Sequence, residues 1–208
     1  MIKTYTGKNL DEALNQACGD LNCTQDELVY EVTFEKKTLF SKKVEIQAYC
    51  LNTVIEFVKN YLNKIFMDMD LSLVEIEMNY QDGRIKANLN TDHNPLFIGK
   101  AGTILRAINM IVKSAVQNTF KKRYEVDVDI NNYKADRYAK VEKMAKRFAR
   151  NVQKSHVDIK LDPLPADERK VMHQVISQMN YVRTQSVGEG KDRCLTIIYD
   201  ENKVVKKA

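Results

Sequence analysis

Cysteine and histidine are both scarce in this 208-residue chain, which holds four of the first and three of the second. Cys18, Cys23, Cys50 and Cys194 are scattered without CxxC spacing, so neither a zinc site nor a disulfide framework is indicated. Three dispersed histidines are too few for a metal cluster, and no metal or other cofactor is expected. No apolar run approaches the roughly 18 residues of a membrane span. Met1-Ile2-Lys3-Thr4-Tyr5-Thr6 opens in alternation, with no signal-peptide core. Also missing are HExxH, the nucleotide loop GxxxxGK[ST], a Ser or Cys nucleophile elbow, and paired carboxylates at metal spacing. What survives is expected to be a soluble, mildly basic protein of a reducing compartment, with no membrane insertion and no catalytic site.

What is present is enough apolar residue, 44%, to build a core beside 29% charged residues. The formal charge of +5 is unevenly spread. Up to Phe120 there are 13 basic and 15 acidic side chains, and from Lys121 onward 20 basic and 13 acidic. A basic C-terminal part joined to a slightly acidic N-terminal part is a pattern often seen where the partner is a polyanion.

Periodicity divides the chain into three small α+β units, 1–50, 51–131 and 132–208. The first reads as βαββ: a strand at Ile2–Thr6, a helix carrying Leu10, Ala13, Leu14, Ala17 and Leu21, and strands at Val29–Phe34 and Val44–Ala48. The two strands flank a basic turn with Lys36, Lys37, Lys42 and Lys43. The second unit opens with a helix whose stripe is Val54, Phe57, Val58, Tyr61, Leu62 and Ile65. Two alternating strands follow, with Asp82-Gly83 as the hairpin turn. A short helical turn at Leu96–Ile98 ends at Gly99. A helix from Thr103 turns Ile104, Ile108, Ile111, Val112 and Ala115 inward, and a strand runs from Tyr124 to Ile130, giving αββααβ. The third unit has a helix at about Lys134–Lys154 and a strand near Val157–Leu161, followed by the loop Asp162-Pro163-Leu164-Pro165. A helix to about Met179 and strands near Tyr181–Ser186 and Arg193–Tyr199 complete it. The tail from Glu201 to Ala208 is expected to fray.

Three features carry chemistry. The first is Ile98-Gly99-Lys100-Ala101-Gly102-Thr103, a GxxG between two helices. Its glycines let a phosphate approach the backbone, the free N–H groups opening the next helix favour an anion, and Lys100 adds charge. Ile98, Ile104 and Leu105 are candidates for an adjoining apolar groove, or for plain core. Second, Lys140, Lys143, Lys146, Arg147, Arg150 and Lys154 fall on one face of the long helix, opposite Tyr138, Val141, Ala145, Phe148 and Val152. The third is Arg169 and His173, spaced i, i+4 on one helical face behind Asp167 and Glu168. Such a pair holds a phosphate or stacks on a base, unless Arg169 meets a carboxylate and His173 a carbonyl.

The αββααβ order with its GxxG resembles a bacterial-type (type II) KH domain, which clamps about four nucleotides of a single strand. Its sheet face carries Glu75, Glu77, Asp127 and Asp129, so RNA is not expected there. Ala101 stands where many such loops carry a second basic residue. Residues 137–198 resemble an R-three-H domain, an α/β module that binds single-stranded nucleic acid. The resemblance rests on Leu161–His173 (LDPLPADERKVMH) and Thr184–Ile197 (TQSVGEGKDRCLTI), in which Arg169, His173, Ser186, Gly188, Glu189 and Arg193 match the motif. The three units in this order resemble the Jag (SpoIIIJ-associated) family, also called KhpB or EloR. Where that family has a glycine-rich loop after two lysines, this chain has Lys36-Lys37-Thr38-Leu39-Phe40-Ser41.

The resemblance implies a cytoplasmic bacterial RNA chaperone or post-transcriptional regulator tied to cell elongation and wall synthesis. The partners it implies are single-stranded RNA (or single-stranded DNA) and a small KH-domain protein, in a homo- or heterodimer. The alternative is an adaptor whose N-terminal and KH surfaces dock proteins, with RNA secondary. For either, RNA is expected to stay intact on long incubation with the protein and magnesium, as read on a denaturing gel.

Overall fold

A computed structural model describes residues 1–37, 42–68, 73–91 and 93–205. The chain falls into two compact units, 1–131 and 132–208. Among the described residues there are three three-stranded sheets, two in the first unit and one in the second.

The first sheet is built from β1 (Lys3–Gly7), β2 (Val29–Lys37) and β3 (Lys42–Tyr49), antiparallel in the order β1-β3-β2. Helix α1 (Leu10–Leu21) starts where Asn9 Oδ1 accepts the Glu12 N–H at 2.8 Å, and Glu12 Oε2 accepts the Lys8 N–H at 2.8 Å. It lays Ala13, Leu14 and Ala17 on Tyr5, Val44, Ile46 and Ala48. One helix covers the two strands it packs on, β1 and β3, while Tyr30 and Val32 of β2 stay over 40% exposed. The expected alternation along β2 breaks at a bulge between Val32 and Phe34, which pairs Phe34 with Glu45. The expected basic turn is instead two rungs of ladder, Lys36 opposite Lys43 and Lys37 opposite Lys42. Thr38–Ser41 lies outside the described residues.

The second sheet takes β4 (Leu73–Gln81), β5 (Arg84–Thr91) and β6 (Glu125–Ile130), with β4 antiparallel and β6 parallel to the central β5. Asp82 and Gly83 turn the hairpin at φ 53° and 73°. Helices α2 (Leu51–Met67), α3 (Asn94–Ile98) and α4 (Thr103–Phe120) complete the expected αββααβ. Val126, Val128 and Ile130 are buried, while cross-strand rows Glu77-Asn88-Asp129 and Asn79-Lys86-Asp127 occupy the other face. Phe66, at the end of α2, is fully buried with its ring 4.3 Å from that of Phe97. Along the outer edge of β6, Asn109 accepts the Val128 N–H at 2.8 Å and donates to the Val128 carbonyl at 2.8 Å. An edge strand thereby has one residue fully satisfied by a side chain.

The first two sheets share more than a chain link. Tyr49 ends β3 buried, donates to the Phe120 carbonyl at 3.2 Å and sets its ring 4.8 Å from that of Phe120. Phe57 meets Phe120 edge-on at 5.3 Å, and Tyr124 closes the cluster. A βαββ unit of this size has too little interior of its own, and this aromatic contact extends it. Asn94–Phe120 is apolar and long enough to pass as a membrane span by composition. Gly99–Gly102 interrupts it, and Leu105, Ile108, Val112, Val116 and Phe120 are buried.

In the second unit, α5 (Tyr133–Ser155), β7 (Ile159–Lys160), α6 (Ala166–Ser177), β8 (Val182–Val187) and β9 (Cys194–Tyr199) enclose one core, with strand order β7-β9-β8. Val141, Ala145, Ala149 and Val152 of α5 meet Met172 and Ile176 of α6 and Val182, Leu195 and Ile197 of the sheet. The two helices run side by side in the same direction. Arg137 meets Glu168 at one end, and Gln153 donates to the Asn180 carbonyl at 2.7 Å at the other. Glu168 is 1% exposed, and Arg137 grips it with two bonds, Nε at 2.9 Å and Nη2 at 2.8 Å. These bonds also raise the guanidinium above its ordinary pKa.

The tail does not fray through Val205. Lys203 Nζ donates to the Ile176 and Val182 carbonyls at 3.0 and 2.6 Å, beside the C-terminal turn of α6. Tyr181 N–H reaches the Lys203 carbonyl, and Val205 N–H reaches Asn180 Oδ1. Burial lowers the Lys203 pKa, Asp200 partly opposing it.

Glu168→Ala leaves Arg137 half-buried without its carboxylate. The second unit is expected to lose about 3 kcal/mol, read from urea unfolding.

Candidate nucleic-acid interface

In the GxxG segment, α3 is closed by the Gly99 N–H on the Pro95 carbonyl at 3.0 Å, and the chain then turns tightly through Lys100–Gly102 into α4. Gly99 has φ 70° and ψ 177°, a region open to glycine alone, and a Cβ there would sit 2.7 Å from Ile104 Cγ1. Ala101 adopts the left-handed region at φ 51°, and Gly102 does so at φ 72°. Lys100, Ala101 and Thr103 are exposed, Ile98 is half-buried and Gly102 is buried.

The groove candidates separate. Leu105, at 2% exposure, belongs to the core, whereas Ile104 is 40% exposed. Contrary to the inward orientation their spacing predicts, Ile104 and Ile111, two turns apart, form an exposed apolar strip on α4, and Met110 is exposed on another side of the helix. Helical periodicity marks the apolar side of α4, but the sheet is narrower than that side. Arg106 does not stand out in the sequence. Its Nη1 donates to the Ala101 carbonyl at 2.8 Å, which places a second cation on the loop despite Ala101. The signal available is its position, one turn into the helix that follows the glycines.

All six cations expected on α5 are exposed, opposite the buried Val141, Ala145, Ala149 and Val152. Lys143, Lys146, Arg147, Arg150 and Lys154, with Asn151, line a shallow groove of about 400 Å³. The Arg147 guanidinium lies 5.1 Å from the Phe148 ring centre, which limits its wandering.

Arg169 and His173 come together with the second part of their motif. Along with Ala166, Lys170, Thr184, Ser186 and Arg193 they line a depression of about 360 Å³. Among the described residues, Arg169 meets no carboxylate. Its Nη1 donates to the Leu164 carbonyl, and to that of Arg193 at 3.3 Å, so it ties the loop before α6 to the start of β9. His173 meets no carbonyl either; Nδ1 pairs with Thr184 Oγ1 across to β8. Gly188, at φ 93°, and Glu189 are exposed in the connecting loop. Lys170 and Thr184 are absent from the expected site, although Ala166, Arg169, Lys170 and His173 follow the i, i+3, i+4, i+7 pattern of a single helix face. Apart from Ala166, the lining residues among those described are basic or hydroxyl-bearing, with no carboxylate, which suits an anion with hydrogen-bonding edges.

Three protein-family models match along the chain: a Jag N-terminus at 5–50, a KhpA/KhpB KH domain at 55–128 and an R-three-H domain at 139–199. The RNA-binding protein KhpB of Clostridium symbiosum is 28% identical over 191 residues, covering 89% of this chain and 86% of that one. That of Bacillus subtilis is 28% identical over 202 residues, covering 93% and 96%. KhpB of Streptococcus pneumoniae D39 is 24% identical over 199 residues, which is 94% of this chain and 58% of the relative.

Replacing Gly99 by alanine forces a side chain into glycine-only backbone and onto Ile104. A loss of about 1–3 kcal/mol is expected from thermal unfolding of the full chain.

Proposed function

Since the chain belongs to the KhpB/Jag family, with its Jag N-terminal, KH and R-three-H regions in order, we propose that it binds single-stranded RNA through the KH loop and the R-three-H depression. The observation that carries this is the depression itself: Arg169, His173, Ser186 and Arg193, distant in sequence, line one carboxylate-free surface with Lys170. The exposed Lys100 beside Gly99 and Gly102, with Arg106 behind it, supports a phosphate clamp at the KH loop. The cationic face of α5 draws the strand in without reading its sequence.

The domains divide near residues 50 and 131. Tethering makes the second contact intramolecular, so two weak sites give useful avidity. The family resemblance supports a role as a cytoplasmic RNA chaperone or post-transcriptional regulator in cell elongation and wall synthesis. It also supports a small KH-domain partner, for which the exposed strip of Ile104 and Ile111 is a suitable apolar contact. That strip equally favours the adaptor reading, in which protein docking comes first.

Lys100→Glu and Arg169→Ala are each expected to weaken binding of a fluorescein-labelled single-stranded RNA by about 1–3 kcal/mol in anisotropy titrations. With roughly six phosphate contacts at about 0.7 ions each, wild-type affinity falls a few hundred-fold between about 50 and 200 mM salt. Salt-insensitive or absent binding would leave the adaptor reading standing.

A further inference from the structure

Besides the Arg169–His173 depression, the second unit holds a groove of about 550 Å³ between α5 and α6. This volume lies within the roughly 300–1,000 Å³ typical of small-molecule sites. One wall is the α5 ridge Tyr138, Glu142, Lys146 and Arg150, spaced by four and about 18 Å long at 1.5 Å per residue. The other wall presents the exposed amides of Gln174 and Gln178 above Val171, Val175 and Met179, which pack on the core. The groove therefore has an apolar floor, two amide side chains and one carboxylate at hydrogen-bonding height, and two cations along its rim.

We propose that this groove is a nucleobase subsite, holding a base of the single strand whose backbone lies on the cationic face of α5. The inference rests on the reading of the chain as a single-strand RNA binder. Continuity points to that occupant. Lys146 and Arg150 line this groove and the cationic groove alike, so a phosphate on either side chain brings its base to the α5/α6 side. On α6, Gln174 lies one turn beyond Lys170, which lines the Arg169–His173 depression, so the two sites flank one helix. The Tyr138 hydroxyl donates to Asp167 at 3.0 Å, which fixes a ring at the groove's end as a stacking surface.

The polar groups also select. A glutamine amide pairs in two points with adenine N6 and N7, and a carboxylate accepts from an exocyclic amino group. Uracil has no amino group, and its one base-edge donor, N3–H, lies between two carbonyl oxygens that the Glu142 carboxylate repels. The subsite thus takes adenine in preference to uracil.

The test compares fluorescein-labelled (rA)12 and (rU)12 binding to the full-length wild type and to Gln174→Ala/Gln178→Ala. Both glutamines are exposed, and a thermal melt checks that the variant is folded. Affinity for (rA)12 is expected to fall roughly tenfold, the size of one lost base contact, while (rU)12 affinity stays within about twofold. The slope of log K against log salt is expected to stay unchanged, because no phosphate contact is removed. Equal affinities, or equal losses for both oligonucleotides, overturn the subsite. The wild type supplies a second readout without any variant: the side-chain amide NMR signals of Gln174 and Gln178 shift when (rA)12 is added, and unmoved signals overturn the proposal. If Arg169→Ala loses binding and the glutamine variant does not, RNA binding stands and the subsite falls. If the wild type binds neither oligonucleotide, the underlying reading fails and takes the subsite with it.

Discussion

Burying the Glu168 carboxylate against the fork of Arg137 is the constraint on which the second unit's surface depends. A charge at 1% exposure is tolerated only in one geometry, so the pair fixes the rotation of α6 as well as its position. With Glu168 turned inward, helical geometry puts Arg169 and His173 on one flank and Val171 and Gln174 on the other. A pair of apolar side chains would hold the helices together but allow α6 to roll, because hydrophobic contact has no direction. The hydrogen bonds from Arg169 to the loop carbonyls and from His173 to Thr184 then lock that flank onto the sheet.

The same division between holding and presenting recurs at the glycine loop. Gly99 is required by backbone geometry and by Ile104. The turn it permits presents Lys100 outward and draws Arg106 back over Ala101. The charge of the loop is thus assembled from two elements of structure, and a reading of the four-residue motif alone undercounts it.

Much of this is legible in the sequence. Among the described residues, alternation and helical stripes place the α-helices and strands to within a few residues, and Asp82-Gly83 locates its hairpin. The Arg-x-x-x-His spacing, with the serine-glycine run after it, names residues that the fold brings to one depression. What is illegible has a common physical cause: periodicity shows which side of an element is apolar, not how wide its partner is. Ile104, Ile111, Tyr30 and Val32 all lie where a covering layer ends. Polar residues mislead in the opposite sense. Glu168 reads as a helix-terminal charge and is buried, because its partner Arg137 is 31 positions away. Lys203 reads as tail and is a cap on α6, since backbone carbonyls leave no trace in the side-chain pattern.

Asn109 carries a consequence for how the protein behaves when crowded. The outer margin of β6 would ordinarily offer a template for a stray strand from another molecule. By occupying both backbone groups of Val128, one amide side chain interrupts that template at the middle of a six-residue strand. Too few consecutive rungs remain there to seed a cross-β stack, and none of the sheet's acidic outer face is spent on the defence. Resistance to aggregation along this margin is therefore lodged in the helix, and a search for protective residues confined to the strand would miss it.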